Sequence, residues 1–436
     1  MTAGPAPRSP LPRVAALLAV VLLGALWGSR CGRRAPTAVP DPLAAPPGDG
    51  PAPAPPPTDA APAPADDGTA ADAAPDDAAP AAPLAGPLPP LPAFDSAFCA
   101  TPGEEPLDIR RPSMAAYFRA HAGRPEAARL QASMAAERRH DHAAARAHLA
   151  AAYRLAPDAA LALPLATRLA TTADLAAALA ALDDYLRDTP ADLDASRLRA
   201  RLRIQEELQR DFLRSERYGV TLLWPPGTLS DADAGGLLRD VTDALDRAAR
   251  LTETRRRPEL TVVVYRDVTD LHATTCATLW TDGGFDGTLR LAYTPKAPGG
   301  VRPFHVAHET LHAQVREFAP SFPVWFHEAL AQYFSDEEGA GQRRAWAFMV
   351  KHQTFIPFGS MVGTFMDFPG NSDAALAYSQ SLAMLLLLLE KNGPRVIPDG
   401  VRLMSSGTPA AELFDKLAAP GELDGHDLLS FLARRR

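Results

Sequence analysis

His308-Glu309-Thr310-Leu311-His312 is followed, beyond a break marked by Pro320 and Pro323, by Trp325-Phe326-His327-Glu328-Ala329-Leu330-Ala331. A helix turns every 3.6 residues, so the i,i+4 spacing puts the imidazoles of His308 and His312 on one face, where two nitrogens can reach a single tetrahedral zinc ion. Glu309 lies one residue round from His308, near enough to touch a water on that metal. The second stretch opens a new helix and carries a carboxylate, Glu328, in its early turns.

Working outward on the N-terminal side, the pattern changes from helical to mixed around Tyr218. Val220, Leu222 and Trp224 alternate with Thr221 and Leu223, which predicts a strand closed by Pro225-Pro226-Gly227. Ser230 is placed as an N-cap before Leu237, Leu238, Val241, Leu245, Ala248 and Leu251 at helical spacing. The β-branched run 260–265 predicts a second strand, and 288–293 a third, reached through the glycine-rich residues 283–287. The resulting order β, α, β, β leads into the His308–His312 helix.

Metzincins carry Gly and His at fixed positions after the two-histidine motif, where this chain has Val315 and Phe318, so that family does not fit. The stretch from Trp325 to Ala331 instead resembles the W-x-x-E-G-x-A segment of the gluzincins. The likeness is greatest to the small peptidase MA-like domains often attached to tetratricopeptide repeats, and it extends over roughly residues 216–395, with its strong part at 305–333. Ala329 stands where the family has Gly, and fifteen residues separate His312 from Glu328, slightly fewer than in many aminopeptidases. The resemblance implies that Glu328 is the third zinc ligand beside His308 and His312, and that Glu309 is the general base. It also implies that Tyr378, in the stretch 377–381 that opens the apolar helix 382–389, donates to the oxyanion, and that the 288–293 strand binds substrate by edge pairing. Helix-start packing is the alternative for Tyr378. His305 and His327 flank the ligands and are read as structural hydrogen-bonding histidines, with contact to substrate or ligands as the alternative. Asp336, Glu337 and Glu338 are read as a solvated helix end.

The remainder of the 436-residue chain is uneven. Many of its 44 prolines fall within residues 36–92, where Pro, Ala, Gly and Asp offer little to bury and predict an unfolded spacer. Ahead of it, Arg8 and Arg13 precede an uninterrupted apolar run, 14–27, with the layout of a secretory signal or a short signal-anchor. The run is short for a full span, and Arg30 spoils a clean cleavage site, which favours an uncleaved anchor with the folded part outside the cytoplasm. A cleaved signal and a secreted protein is the alternative. Residues 112–216 are rich in Ala, Leu, Arg and Glu, punctuated by Pro125, Pro157 and Pro190. The segments 142–155 and 175–186 resemble second helices of tetratricopeptide repeats, with an ordinary helical bundle as the alternative. His121, His140, His142 and His148 in this region lack clustered ligand partners and are read as surface residues. Of the three cysteines, Cys99 and Cys276 could pair in an exported protein, but free thiols are the simpler reading.

The expected organisation is therefore a signal or anchor at 1–34, a linker at 35–95, a helical tetratricopeptide-like region at 96–216 and a peptidase MA-like zinc domain at 217–436. The fold class is α+β, with a small mixed sheet, the two-histidine helix and a helical C-terminal part. The net charge of −8, without a long basic run, gives no support to nucleic-acid binding. The expected function is zinc-dependent hydrolysis of peptide bonds in a peptide or protein substrate. The competing class is an envelope-anchored scaffold that uses its helical repeats to hold a protein partner around an inactive or structural zinc domain.

Overall fold

The computed structural model describes residues 113–435, apart from 140, 256, 276–281, 317, 319–321, 363–364, 366–370 and 419–422. The N-terminal apolar run, the proline-rich spacer, Cys99, Cys276 and His140 lie outside the described residues. The described part is mostly helical with one small mixed sheet, in keeping with an α+β class.

Six helices come first: α1 (Met114–Ala120), α2 (Pro125–Arg138), α3 (His142–Leu155), α4 (Ala159–Leu169), α5 (Leu175–Asp188) and α6 (Leu193–Gln209). Their starts are written locally. Asp141, Asp158, Asp174 and Asp192 each accept a hydrogen bond from a backbone N–H of the first turn, and Pro125 occupies the first turn of α2, where its missing N–H costs nothing. Helices adjacent in the chain pack together, α2 on α3 and α4 on α5, with α6 laid on α5. Leu130, Leu149 and Leu161 fill one apolar seam and Leu182, Tyr185 and Leu202 the next.

Strand β1 (Leu213–Arg217) follows α6, where helix had been expected to continue to about residue 216. Its residues are largely exposed, so helix-forming composition lost to pairing with β2 (Val220–Trp224) across a two-residue turn. Tyr218 and Gly219 of that turn both take positive φ, as the tight hairpin requires. After β2 come α7 (Asp231–Leu251), started by a capping box between Ser230 and Asp233, then β3 (Leu260–Tyr265), α8 (Val268–Thr275), β4 (Gly283–Phe285) and β5 (Leu289–Ala292). The strand order is β1-β2-β3-β5-β4, with β2, β3 and β5 parallel and the two outer strands antiparallel. Every residue of β3 is buried, as expected of a central strand covered on both faces. One face packs under α7 through Val262, Val264, Leu237 and Val241. The other packs through Val263 and Tyr265 against Leu271 of α8 and Phe212 at the end of the helical region.

The C-terminal part is helical: α9 (Pro303–Arg316), α10 (Val324–Phe334), α11 (Ala340–His352), α12 (Asn371–Asn392), α13 (Val396–Ser405), α14 (Leu413–Ala418) and α15 (Gly425–Arg434). Trp325, Phe326, Trp346, Leu385 and Phe431 form its core. Residues 373–392 of α12 are long and apolar enough to cross a membrane, but two thirds of that window is buried, as befits a core helix.

The 288–293 strand predicted to pair with substrate is β5, and it is an interior strand with both edges occupied, by β3 and β4. The edge belongs to β4, whose Gly283-Gly284-Phe285 had been taken as a connection. Glycine is a poor strand former and carries no alternating pattern, so only pairing with β5 makes this segment extended.

Candidate metal centre

Helix α9 follows the sheet and lies against β4 and β5, while α10 packs on both α9 and α12. Leu311 and Val315 turn into the C-terminal core and Val306 and Ala313 into the sheet core. The remaining face of α9 carries His308, Glu309 and His312 to a cleft of about 420 Å³. Trp325, Phe326, Ala329 and Leu330 anchor α10 in the core, which leaves Glu328 on its cleft side.

One ligand atom from each of His308, His312 and Glu328 lies within 4.8 Å of the others. Glu328 Oε2 is 3.3 Å from His308 Nε2 and 3.7 Å from His312 Nε2. Donor atoms bound at about 2.0–2.1 Å around a tetrahedral ion are separated by roughly 3.3 Å, so this group could hold a metal ion. The imidazole planes of the two histidines are nearly perpendicular, at 79°.

Each histidine is held from behind. His308 Nδ1 lies 2.7 Å from Glu337 Oε1, which also accepts a 2.5 Å hydrogen bond from Ser335 Oγ. His312 Nδ1 is 3.2 Å from His327 Nε2, so an Nδ1–H on His312 can donate to it and leave His312 Nε2 facing Glu328. Glu337 therefore is not part of a solvated helix end. Asp336 adopts φ +57° just after α10 and turns the chain so that Glu337 points back into the cleft, while Glu338 faces out and pairs with Arg435 at 3.1 Å. Helical spacing could not have located Glu337, because it lies beyond the end of the helix.

The electrostatics follow from charges gathered in a buried place. Burial alone would depress His308 and raise Glu328, but the pairing reverses both: Glu328 and Glu337 hold His308 well above the ordinary histidine range, and His312 and His308 hold Glu328 well below the ordinary glutamate range. Burial keeps His327 neutral, well below its usual range, with His312 adding to the effect. It also raises Glu309 above the usual carboxylate range, against the pull of His308 and His312. His305 sits at the rim, 3.1 Å from Asp282, and burial lowers its affinity for a proton.

Tyr378 begins the buried part of α12 and lines the same cleft. Gln332 of α10 donates to its carbonyl at 3.0 Å, and Phe365 packs edge-on against its ring at 5.2 Å. Burial and the neighbouring carboxylates of Glu328, Glu309 and Glu337 push the phenol above its ordinary range, so it holds its proton more tightly than a free tyrosine. On the opposite wall β4 runs alongside α9: a Cβ placed on Gly283 would be 3.6 Å from Glu309 Cγ, and one on Gly284 would meet open space.

No family model and no curated protein matches the chain. What the arrangement can do therefore rests on its own geometry: three converging side chains that could hold a metal ion, a buried carboxylate beside them, a phenol and a strand edge without a partner among the described residues, all around one cleft.

Proposed function

We propose that this protein is a zinc-dependent peptidase of the gluzincin type. The observation that carries the reading is the convergence of His308, His312 and Glu328 with Glu309 beside them in an open cleft. Glu309 would have no task if the site only held a structural ion, which needs ligands and no base.

Bound by the three ligands, zinc would supply Lewis acidity that lowers the pKa of a water towards about 7 and polarises a carbonyl oxygen. Glu309 acts as general base: it takes a proton from the attacking water and later returns it to the leaving amine. Tyr378 donates a hydrogen bond to the developing oxyanion. The free edge of β4 pairs with the backbone of an extended substrate and holds its scissile bond beside Glu309. Glu337 and His327 keep the two imidazoles oriented.

The test uses the full chain. Metal analysis after purification should find about one zinc per chain, lost on replacing His308, His312 or Glu328 by Ala. A mixed peptide pool should be hydrolysed, with chelator stopping the reaction. Glu309→Gln should retain zinc and slow turnover by about 10²–10⁴-fold. Full zinc content and normal hydrolysis in Glu328→Ala would remove the gluzincin reading. We further propose that residues 14–27 anchor the chain in a membrane with the cleft outside the cytoplasm, so that the full chain should sediment with membranes and a chain starting at residue 35 should not.

A further inference from the structure

The metal cleft continues along α9. His308, His312 and Arg316 are spaced by four residues on one stripe of that helix, so Arg316 lies about 12 Å along the axis from His308. Strand β4 keeps it company: Gly283 is beside Glu309, and the Arg316 guanidinium lies over the Phe285 ring at 5.5 Å. Phe285 lines both the metal cleft and a second, larger cleft of about 1010 Å³. This second cleft is walled by β-strand ends and α9 on one side and by α2, α3, α4 and the turn 171–174 of the helical region on the other. The helical region touches the β4–β5 turn directly, since a Cβ on Gly287 would be 2.5 Å from Thr171 Cγ2.

Most arginines in the second cleft are already committed: Arg168 to Glu137 at 2.9 Å, Arg146 to Glu259 at 3.2 Å and Arg214 to Glu216 at 3.3 Å. Arg316 is exposed and makes no ion pair among the described residues; its contact is the Phe285 face. It is a cation at the passage between the two clefts with its charge available.

We infer that Arg316 is a specificity-determining residue that receives an aspartate or glutamate side chain of a polypeptide substrate, three or four residues N-terminal to the scissile bond, and that the preceding substrate residues run into the cleft between β4 and the helical region. The direction follows from pairing. Antiparallel addition, the more stable kind, places the residue opposite Gly283 at the scissile bond and the residue two positions earlier opposite Phe285, about 7 Å nearer Arg316. A carboxylate there forms a charge-assisted, bidentate pair with a guanidinium. The inference rests on the peptidase reading for its register, and it makes the helical region part of the substrate path.

The test separates the two. Fluorescent peptides of about twelve residues, long enough at roughly 3.3 Å per residue to reach the helical region, carry Asp, Asn or Lys at the third and fourth positions before a central Phe-Leu pair. Their binding to zinc-loaded full-length Glu309→Gln protein is measured by anisotropy, with and without Arg316→Glu, zinc content being checked in each. The Asp peptide should bind at least about tenfold more tightly than the Lys peptide, and Arg316→Glu should reverse that order. A photo-crosslinker at the peptide N-terminus should capture residues of α2, α3, α4 or the turn 171–174. Equal binding of the three peptides, an order indifferent to Arg316→Glu, or no binding at all would overturn the inference. Hydrolysis of the same peptides by the wild-type protein reports separately. Charge-selective binding without cleavage would keep the Arg316 subsite and remove the peptidase reading, whereas cleavage without charge preference would do the reverse.

Discussion

Glu337 reaches His308 from a turn rather than from a helix face, and two consequences follow at the level of single residues. A carboxylate behind a ligating imidazole fixes its tautomer and direction, and loss of such a partner costs about 10–100-fold in metal affinity. Glu337→Gln should therefore weaken zinc binding by that order in a competition titration, while Glu338→Gln, on the outward neighbour, should leave it unchanged. The second consequence concerns pH. In the metal-free protein Glu328 and Glu337 hold the His308 proton affinity above the ordinary range. That proton stays bound below the raised pKa and must leave when metal enters, so zinc affinity should fall as pH drops, by about tenfold per unit for each displaced proton. A flat zinc affinity between about pH 6 and 8, with no proton release on binding, would show that no His308 proton is displaced.

Among the elements, α10 depends on its neighbour α13. Gly400 of α13 abuts the ring of Phe326, and a Cβ there would overlap the ring. Phe326 is fully buried. Gly400→Ala should cost about 1–3 kcal/mol in denaturant unfolding, the usual penalty for overpacking a filled core. Because Glu328 is two residues along α10 from Phe326, the same substitution should also lower zinc affinity. A variant as stable as the parent would mean that α13 can shift away, and that α10 is not fixed from that side. The strands teach a different lesson. β3 is legible from its β-branched run, but β4 is Gly-Gly-Phe and acquires strand geometry only from the register with β5. The outer position next to α9 therefore belongs to the segment without strand propensity, not to the one with it.

For the molecule as a whole, the helical region and the sheet are joined by buried polar groups rather than by apolar contact alone. Arg290 of β5 donates to Tyr265 Oη at 2.6 Å and to both carboxylate oxygens of Asp286 at 3.1 Å. From α6, Gln209 donates to the same Tyr265 oxygen at 3.4 Å, and Gln205 donates to the Thr274 carbonyl at 2.9 Å. Tyr265→Phe keeps the ring but strands two donors, so unfolding free energy should fall by about 1–3 kcal/mol. An unchanged value would indicate that water replaces the phenol oxygen. The Arg290 guanidinium, with that of Arg201, holds the carboxyl of the partly exposed Asp286 below the ordinary range. A carboxylate with a depressed folded pKa contributes stability that is fully present above the unfolded value of about 3.9 and is lost as pH falls through the lower folded value. Acid unfolding below about pH 4 should thus be less steep in Asp286→Asn than in the parent.

The sequence by itself determined the local matters. The i,i+4 histidines had to share a helix face, Ser230 could start a helix as its cap, the run 382–389 had to be an apolar helix, and the carboxylate of Glu328 had to lie early in the next helix. Each of these depends on spacing within one element, where periodicity is the governing geometry. Only the tertiary structure decided that β4 is the open edge, that Glu337 stands behind His308 after a left-handed turn, and that Arg316 opens onto a cleft shared with the helical region. Those relations join residues from different elements, and pairing register and packing set the distances between them.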